Sequence, residues 1–204
     1  MYALVESGSI TKIFTSPKGF VLNNNQYPQD IFYKWTKDEK EAIGIYEIET
    51  DSTNHKDEEW YVNTNESYIF DSGKVIRSWG TATPKQLNDE DAKDQQGNNI
   101  LDKDGNQVIN YGLKTAKKTF VKQRASDLLC KTDWYVIKAT EVESYNVPEN
   151  ITNFRTEVRT TSNEMETKID ACNTVDELKS LYEYTRQDDD SVTRPLGEFP
   201  KEVA

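Results

Sequence analysis

From Ile151 to Cys172 the apolar side chains recur every three or four residues: Ile151, Phe154, Val158, Met165, Ile169 and Cys172, with Ser162 filling one step. That spacing places them on one face of a helix of more than five turns. Arg155, Glu157, Arg159, Glu164, Glu166 and Lys168 fall on the other face. A second stripe, Leu113, Ala116, Phe120 and Leu128, widened by Val121 and Leu129, predicts another helix upstream. Thr174 with Glu177 three residues on reads as a capping box, opening a short last helix through Leu178, Leu181 and Tyr182. From Gly112 to Tyr182 the chain is therefore organised around helical faces, apart from Trp134 to Ala139, which reads as an extended apolar segment after a break at Lys131-Thr132-Asp133.

Before Gly112 the pattern is different. Tyr2–Val5, Ile10–Phe14, Phe20–Leu22, Ile45–Ile48, Trp60–Val62, Ser67–Phe70 and Val75–Trp79 are short runs of strand formers. Ser7-Gly8, Ser16-Pro17-Lys18-Gly19, Asn23-Asn24-Asn25 and Asp71-Ser72-Gly73-Lys74 punctuate them as turns. One helix interrupts: Thr36 and Glu39 form a capping box, and Gly44 closes the segment Lys37–Ile43. Residues 81–112 are strongly polar and read as a connector, with a hairpin around Asp104-Gly105 between Ile100-Leu101 and Val108-Ile109. The expected fold is α+β: a β-rich domain over 1–80 with antiparallel strands and one short helix, the connector over 81–112, a small helical domain over 113–186, and an acidic, proline-containing tail over 187–204.

Composition limits what this fold can do. Hydrophobic residues are 35% of the 204, which suits small cores rather than one large one. The net charge of -11 argues against broad contact with a nucleic-acid backbone. The stretch Lys114, Lys117, Lys118, Lys122 and Arg124 reads as a solvated helix face. No run approaches the roughly 18 apolar residues of a membrane span, and MYALVESGSI lacks the basic and apolar regions of a signal peptide. The two cysteines, Cys130 and Cys172, each close an apolar stripe and read as buried free thiols in a reducing compartment.

The chemistry-bearing residues are sparse. His55, the one histidine, sits in a charged loop without a nucleophile elbow nearby. Asp57, Glu58 and Glu59 precede Trp60-Tyr61, but no second acid is brought to a defined distance. Aligning Gly105 with the sixth position of a calcium loop puts Ile100 first and Tyr111 twelfth, both wrong. No catalytic, cofactor-binding or metal-ligating residue is assigned, no cofactor is expected, and the chain is read as a non-enzyme. Trp134, Tyr135, Ile137 and Tyr145 lie between two helices, with core positions expected for at least half of them and a partner anchor for the rest. Arg155 and Arg159 are i,i+4 neighbours suited to clamping a carboxylate, within the chain or on a partner. Trp134, Tyr135, Tyr145, Arg155 and Arg159 form the candidate partner interface.

Two blocks carry a resemblance. YALVESGSITKIF and the later YPQDIFYKWTKDEKEAIGIYEI, including Ala42–Tyr46, resemble the opening domain of small phage proteins encoded near tail and tail-fibre genes. Thr132, Asp133, Trp134, Pro148, Arg155 and Arg159 resemble a block of tail-fibre assembly proteins and tail assembly chaperones, with the nearest likeness to proteins of marine phages. The resemblance spans Met1–Tyr46 and Gln123–Leu181 and leaves the middle and the tail unmatched. It implies a virion adaptor or tail-fibre-associated subunit or, alternatively, an assembly chaperone that leaves the particle. The implied partners are other tail or tail-fibre proteins in a symmetric, multi-copy assembly, without nucleic acid or membrane. The implied location is the virion tail or the host cytoplasm during assembly. A different class, a receptor- or carbohydrate-binding module, would use Trp35, Trp60, Tyr61 and Trp79 as stacking platforms.

Overall fold

The computed structural model describes residues 1–203 and has an α+β fold. The chain divides into two compact units, Met1–Thr83 and the residues from Pro84 onward, so connector, helices and tail belong together.

In the first unit β1 (Tyr2–Glu6), β2 (Ser9–Phe14), β3 (Phe20–Leu22) and β4 (Asn25–Tyr27) precede α1 (Ile31–Lys34) and α2 (Lys37–Ala42). Then come β5 (Ile45–Thr50), β6 (Tyr61–Val62), β7 (Ser67–Asp71), β8 (Lys74–Ser78) and β9 (Thr83–Pro84) at the boundary. Five strands form one sheet in the order β2-β1-β5-β8-β7. Two hairpin turns of this sheet, Ser7-Gly8 and Ser72-Gly73, and that of the separate β3–β4 hairpin, Asn23-Asn24, take positive φ at both central residues. That geometry matches the natural twist of the strands. The capping box at Thr36 forms in both directions with Glu39.

Alternation along β1 sends Tyr2 and Leu4 to one face and Ala3 and Val5 to the other. Leu4 joins Phe14, Phe20, Ile31, Phe32 and Ile45 in an aromatic-rich core under α1 and the β3–β4 hairpin. On the opposite face the sheet curls, and Ala3, Ile48 and Val75 share a cluster with Ile10 and Ile13 of β2 and Tyr68 and Phe70 of β7.

Two expectations for this unit are corrected. The sheet is not wholly antiparallel, because β5 and β8 pair in parallel. A parallel pair needs a long crossover, supplied here by the stretch from Asp51 to Gly73, and local sequence pattern carries no record of which distant strand a run will meet. There are also two short helices, not one: Ile31–Lys34 closes a separate turn that buries Ile31 and Phe32.

The second unit opens with β10 (Glu90–Asp91), which pairs with β11 (Ile109–Asn110). Between them lies a repeat absent from the sequence reading. Asp94, Gly97 and Asn98 recur eight residues later as Asp102, Gly105 and Asn106. Each aspartate Oδ1 accepts two backbone N–H groups, from Gln96 and Asn98 in the first loop and from Asp104 and Asn106 in the second, all at 2.9 Å. Asn98 and Asn106 hold each carboxylate below its ordinary pKa through their backbone and side-chain donors. The three flanking segments close a ring: Ile100 N–H donates to Ala92, Val108 to Ile100 and Ala92 back to Val108, at 2.8–2.9 Å. The predicted hairpin at Asp104-Gly105 is one of two equivalent loops.

The connector is joined to α3 (Leu113–Cys130) rather than trailing from it. Asp89 accepts the Gly112 N–H and the Thr115 hydroxyl, both at 2.8 Å, while Leu113 and Lys114 donate to the carbonyls of Gln86 and Leu87. The helix N-terminus thus has an acid and two carbonyls where its own donors are unmatched. A Cβ at Gly112 would lie 2.5 Å from the Asn88 backbone, so only glycine permits this approach.

Next come α4 (Asp133–Glu141), α5 (Glu149–Ala171) and α6 (Val175–Ser180). Helices α3 and α5 pack through Ala125, Leu128, Phe154 and Val158. On α3 the buried face is Val121, Ala125 and Leu128; Phe120, expected in the stripe, is exposed, and so is Cys130, whereas Cys172 is buried as expected. The buried face is rotated because the α5 contact, not the total apolar count, selects it. At α6 the Thr174 hydroxyl accepts Glu177 N–H, but Glu177 reaches back to Asn173 rather than to Thr174, so the box is only half built.

The tail, with β12 (Thr185–Arg186) and β13 (Val192–Thr193), returns over this bundle. Leu196 is buried and bonded through its N–H to Leu181, Lys168 donates to the carbonyls of Pro195 and Leu196, and Phe199 and Val203 pack against the α3–α5 core. No helix among the described residues is long and apolar enough to cross a membrane.

Candidate functional site

The segment expected to be extended, Trp134 to Ala139, is helical, and this is the largest local correction. Its run of aromatic and β-branched residues favours a strand by propensity. A buried cation overrides that preference. Arg155 Nη1 donates to the Leu129 carbonyl (2.8 Å) and to the Thr132 hydroxyl (2.7 Å), and lies 2.8 Å from an Asp133 carboxylate oxygen. These three residues are the α3–α4 junction. Thr132 in turn donates to Leu129 at 2.9 Å, so the turn is cross-braced. The arginine is 8% exposed.

By charge Arg155 belongs on the polar face of α5, yet it stands four residues after Ile151 and three before Val158. That spacing continues through Ser162, Met165, Ile169 and Cys172. The signal that it belongs to the buried stripe was present but masked by its charge. Its clamping role is met within the chain.

No residue of α4 is buried. Trp134 is 51% and Ile137 55% exposed, and they share a helix face at i,i+3 spacing; Val136 and Val142 are exposed as well. The Trp134 ring lies against Tyr135 in a tilted arrangement, 3.9 Å between centroids and 32° between planes, while Lys138 sits over both Trp134 (5.7 Å) and Tyr145 (4.3 Å). Tyr135 and Tyr145 are half-buried, so none of Trp134, Tyr135, Ile137 and Tyr145 is a core residue. Trp134, Tyr135 and Tyr145 therefore form one aromatic–cation surface, and Arg155 fixes the helix that carries two of them.

Beside this surface a cleft of about 500 Å³ opens between α3 and α5, with Asp133 at the α4 end. Lys122 and Ser126 line it from α3, and Arg155, Arg159 and Asn163 from α5. Arg159 Nη1 donates to the Arg155 carbonyl at 3.3 Å and makes no ion pair among the described residues. Lys122 pairs with Glu166 at 3.2 Å. The five residues of the candidate interface thus fall into two features, the aromatic surface and the cationic cleft, and Asp133, which lines the cleft, immediately precedes Trp134 in the chain.

Elsewhere the candidates do not converge. His55 is exposed and packs edge-on against Trp79 at 4.4 Å. Trp60 and Tyr61 are buried, and Trp35 is half-buried against Tyr27, so the four aromatics do not form an open stacking platform. Burial pushes the Cys172 thiol up, away from the reactive thiolate. No cluster of three metal-ligating side chains occurs among the described residues.

Comparisons with protein-family models, curated proteins and solved structures return no match.

Proposed function

We propose that this chain is a non-enzymatic bacteriophage tail protein, a structural adaptor or tail-fibre-associated subunit that works by binding another protein of the particle. The observation that carries the binding role is α4: a helix with Trp134, Val136, Tyr135 and Ile137 and no buried residue, held to its bundle by a buried arginine rather than by its own apolar contacts. A helix anchored by polar bonds keeps its apolar side chains free for a partner, and exposed aromatics with adjacent cations are typical anchors. The resemblance of Gln123–Leu181 to tail-fibre assembly proteins and tail assembly chaperones supplies the biological setting. The same exposed surface would serve a chaperone that holds fibre subunits and then departs.

Quantitative mass spectrometry of purified, nuclease-treated particles, with the portal protein as copy-number reference, separates these readings. A stoichiometric signal at a multiple of three or six supports the adaptor. Absence from particles with abundance in the infected lysate replaces it with the chaperone.

A further inference from the structure

Arg155 is the cation that holds the α3–α4 junction, yet all its bonds leave from one nitrogen, Nη1. Its Nε and Nη2 hydrogens have no protein partner among the described residues, and neither nitrogen is fully shut off from solvent, so the 10% of the side chain that is exposed offers them to the cleft. The residue lines the α3–α5 cleft. One turn along α5, Arg159 brings a second guanidinium whose single bond is to a backbone carbonyl. Donors that open onto a cleft are met by water in the free chain and can be taken over by an acceptor that enters it. A chain with 36 acids and 25 bases also has carboxylates to spare for matching its cations. Here two guanidiniums and Lys122 converge on an open cleft, and Arg159 is the one of the three without a carboxylate partner among the described residues.

We propose that this cleft is a carboxylate-binding site, and that its occupant is an acidic side chain in a segment of a partner protein. The inference rests on the reading that the chain works by binding another protein. Charge sets the ligand class. Of the three cations, Arg155 is balanced by Asp133 and Lys122 by Glu166, which leaves the charge of Arg159 unbalanced. One excess positive charge matches a monoanionic carboxylate better than a dianionic phosphate. Guanidinium donors suit the planar, two-oxygen acceptor of a carboxylate. Ser126 and Asn163 add neutral polar groups to the walls. The cleft is lined by Asp133, the first residue of α4, so a segment whose acid enters it lies at the start of the helix that carries the exposed Trp134 and Ile137. The two features make one composite surface, an acidic anchor beside an apolar contact.

The test is fluorescence anisotropy of the full chain with a labelled peptide of alternating Glu and Tyr, acetylated and amidated at its ends. The Gln-for-Glu peptide, the same peptide with a free C-terminal carboxylate, and inorganic phosphate as competitor form the other arms. The Glu peptide binds, the Gln peptide binds at least about tenfold more weakly, and phosphate does not displace it. Arg159→Gln, which disturbs no in-chain ion pair, weakens binding about tenfold or more, while Arg159→Lys retains part of it. Equal binding of the Glu and Gln peptides, wild-type affinity in R159Q, or no binding by the wild type overturns the assignment. Displacement by phosphate overturns the carboxylate class, and binding confined to the free-terminus peptide overturns the side-chain source. A chain that enters particles but fails the peptide test loses only the cleft. A chain that passes it but is absent from particles loses only the virion role.

Discussion

The loops of 92–109 and helix α4 lie in the same unit and are built by opposite means. The loops are almost entirely polar, yet each Asp-x-x-Gly-Asn turn satisfies its own backbone and the intervening segments close a hydrogen-bonded ring. Their conformation is local, encoded within five residues and written twice. Helix α4 is rich in apolar side chains, yet it buries none of them and depends on an arginine more than twenty residues downstream. Polarity did not make the first a loose linker, and apolarity did not make the second core. What decides order is whether each buried or backbone polar group finds a partner, and from how far away.

Removing the distant partner should have the largest effect. Arg155→Ala removes the guanidinium that ties the Leu129 carbonyl, the Thr132 hydroxyl and Asp133 together and opens a void, although Thr132 still donates to Leu129; the cost is about 2–4 kcal/mol in chemical denaturation. In hydrogen exchange the α4 amides lose protection while those of 92–109 keep theirs; equal loss in both regions would show that the two are not independently held. A local lesion should be smaller. Gly105 has φ +83°, and Gly105→Ala forces a side chain into that conformation at about 1 kcal/mol, with no change in α4 protection.

Acid provides a milder probe of the same loops. Asp94 and Asp102 have folded-state pKa values depressed below 3.8 by the Asn98 and Asn106 donors. Their contribution is present above the unfolded aspartate value and fades as pH falls through the lower folded value. Amide protection at Gln96, Asn98, Asp104 and Asn106 should therefore fall below pH 3.8 and be flat above it, and an unchanged acid profile in D94N/D102N would sink this account. The smallest effect belongs to Trp134→Ala. Because the ring is half exposed and buries nothing in the core, stability changes by less than about 0.5 kcal/mol, measured by thermal melting. A larger loss would mean that α4 is held by its aromatics after all.

Several features were legible without coordinates because their determinants are adjacent. The Ser7-Gly8, Asn23-Asn24 and Ser72-Gly73 turns, the Thr36–Glu39 box and the long α5 stripe each draw on residues within one or two turns of chain. The octad repeat was equally local and could have been found by asking why Asp, Gly and Asn recur at a spacing of eight. At the candidate site the aromatic residues and both arginines were picked from the sequence, but their arrangement was not. Arg155 reads as surface by its charge and as buried by its position, and only the presence of the α3–α4 turn beside it resolves the conflict.

By itself, then, the sequence determined an α+β chain with a strand-rich beginning and a helical end, its hairpin turns and the face of its longest helix. These follow from backbone preferences and hydrophobic periodicity, which act over a few residues. Tertiary structure alone decided the parallel pairing of β5 with β8, the seating of Leu196 and Phe199 on the bundle, the helical state of residues 133–141 and the convergence of Arg155, Arg159 and Lys122 on one cleft. Each of these depends on groups brought together from far apart in the chain, where burial and the matching of donors to acceptors outweigh local propensity.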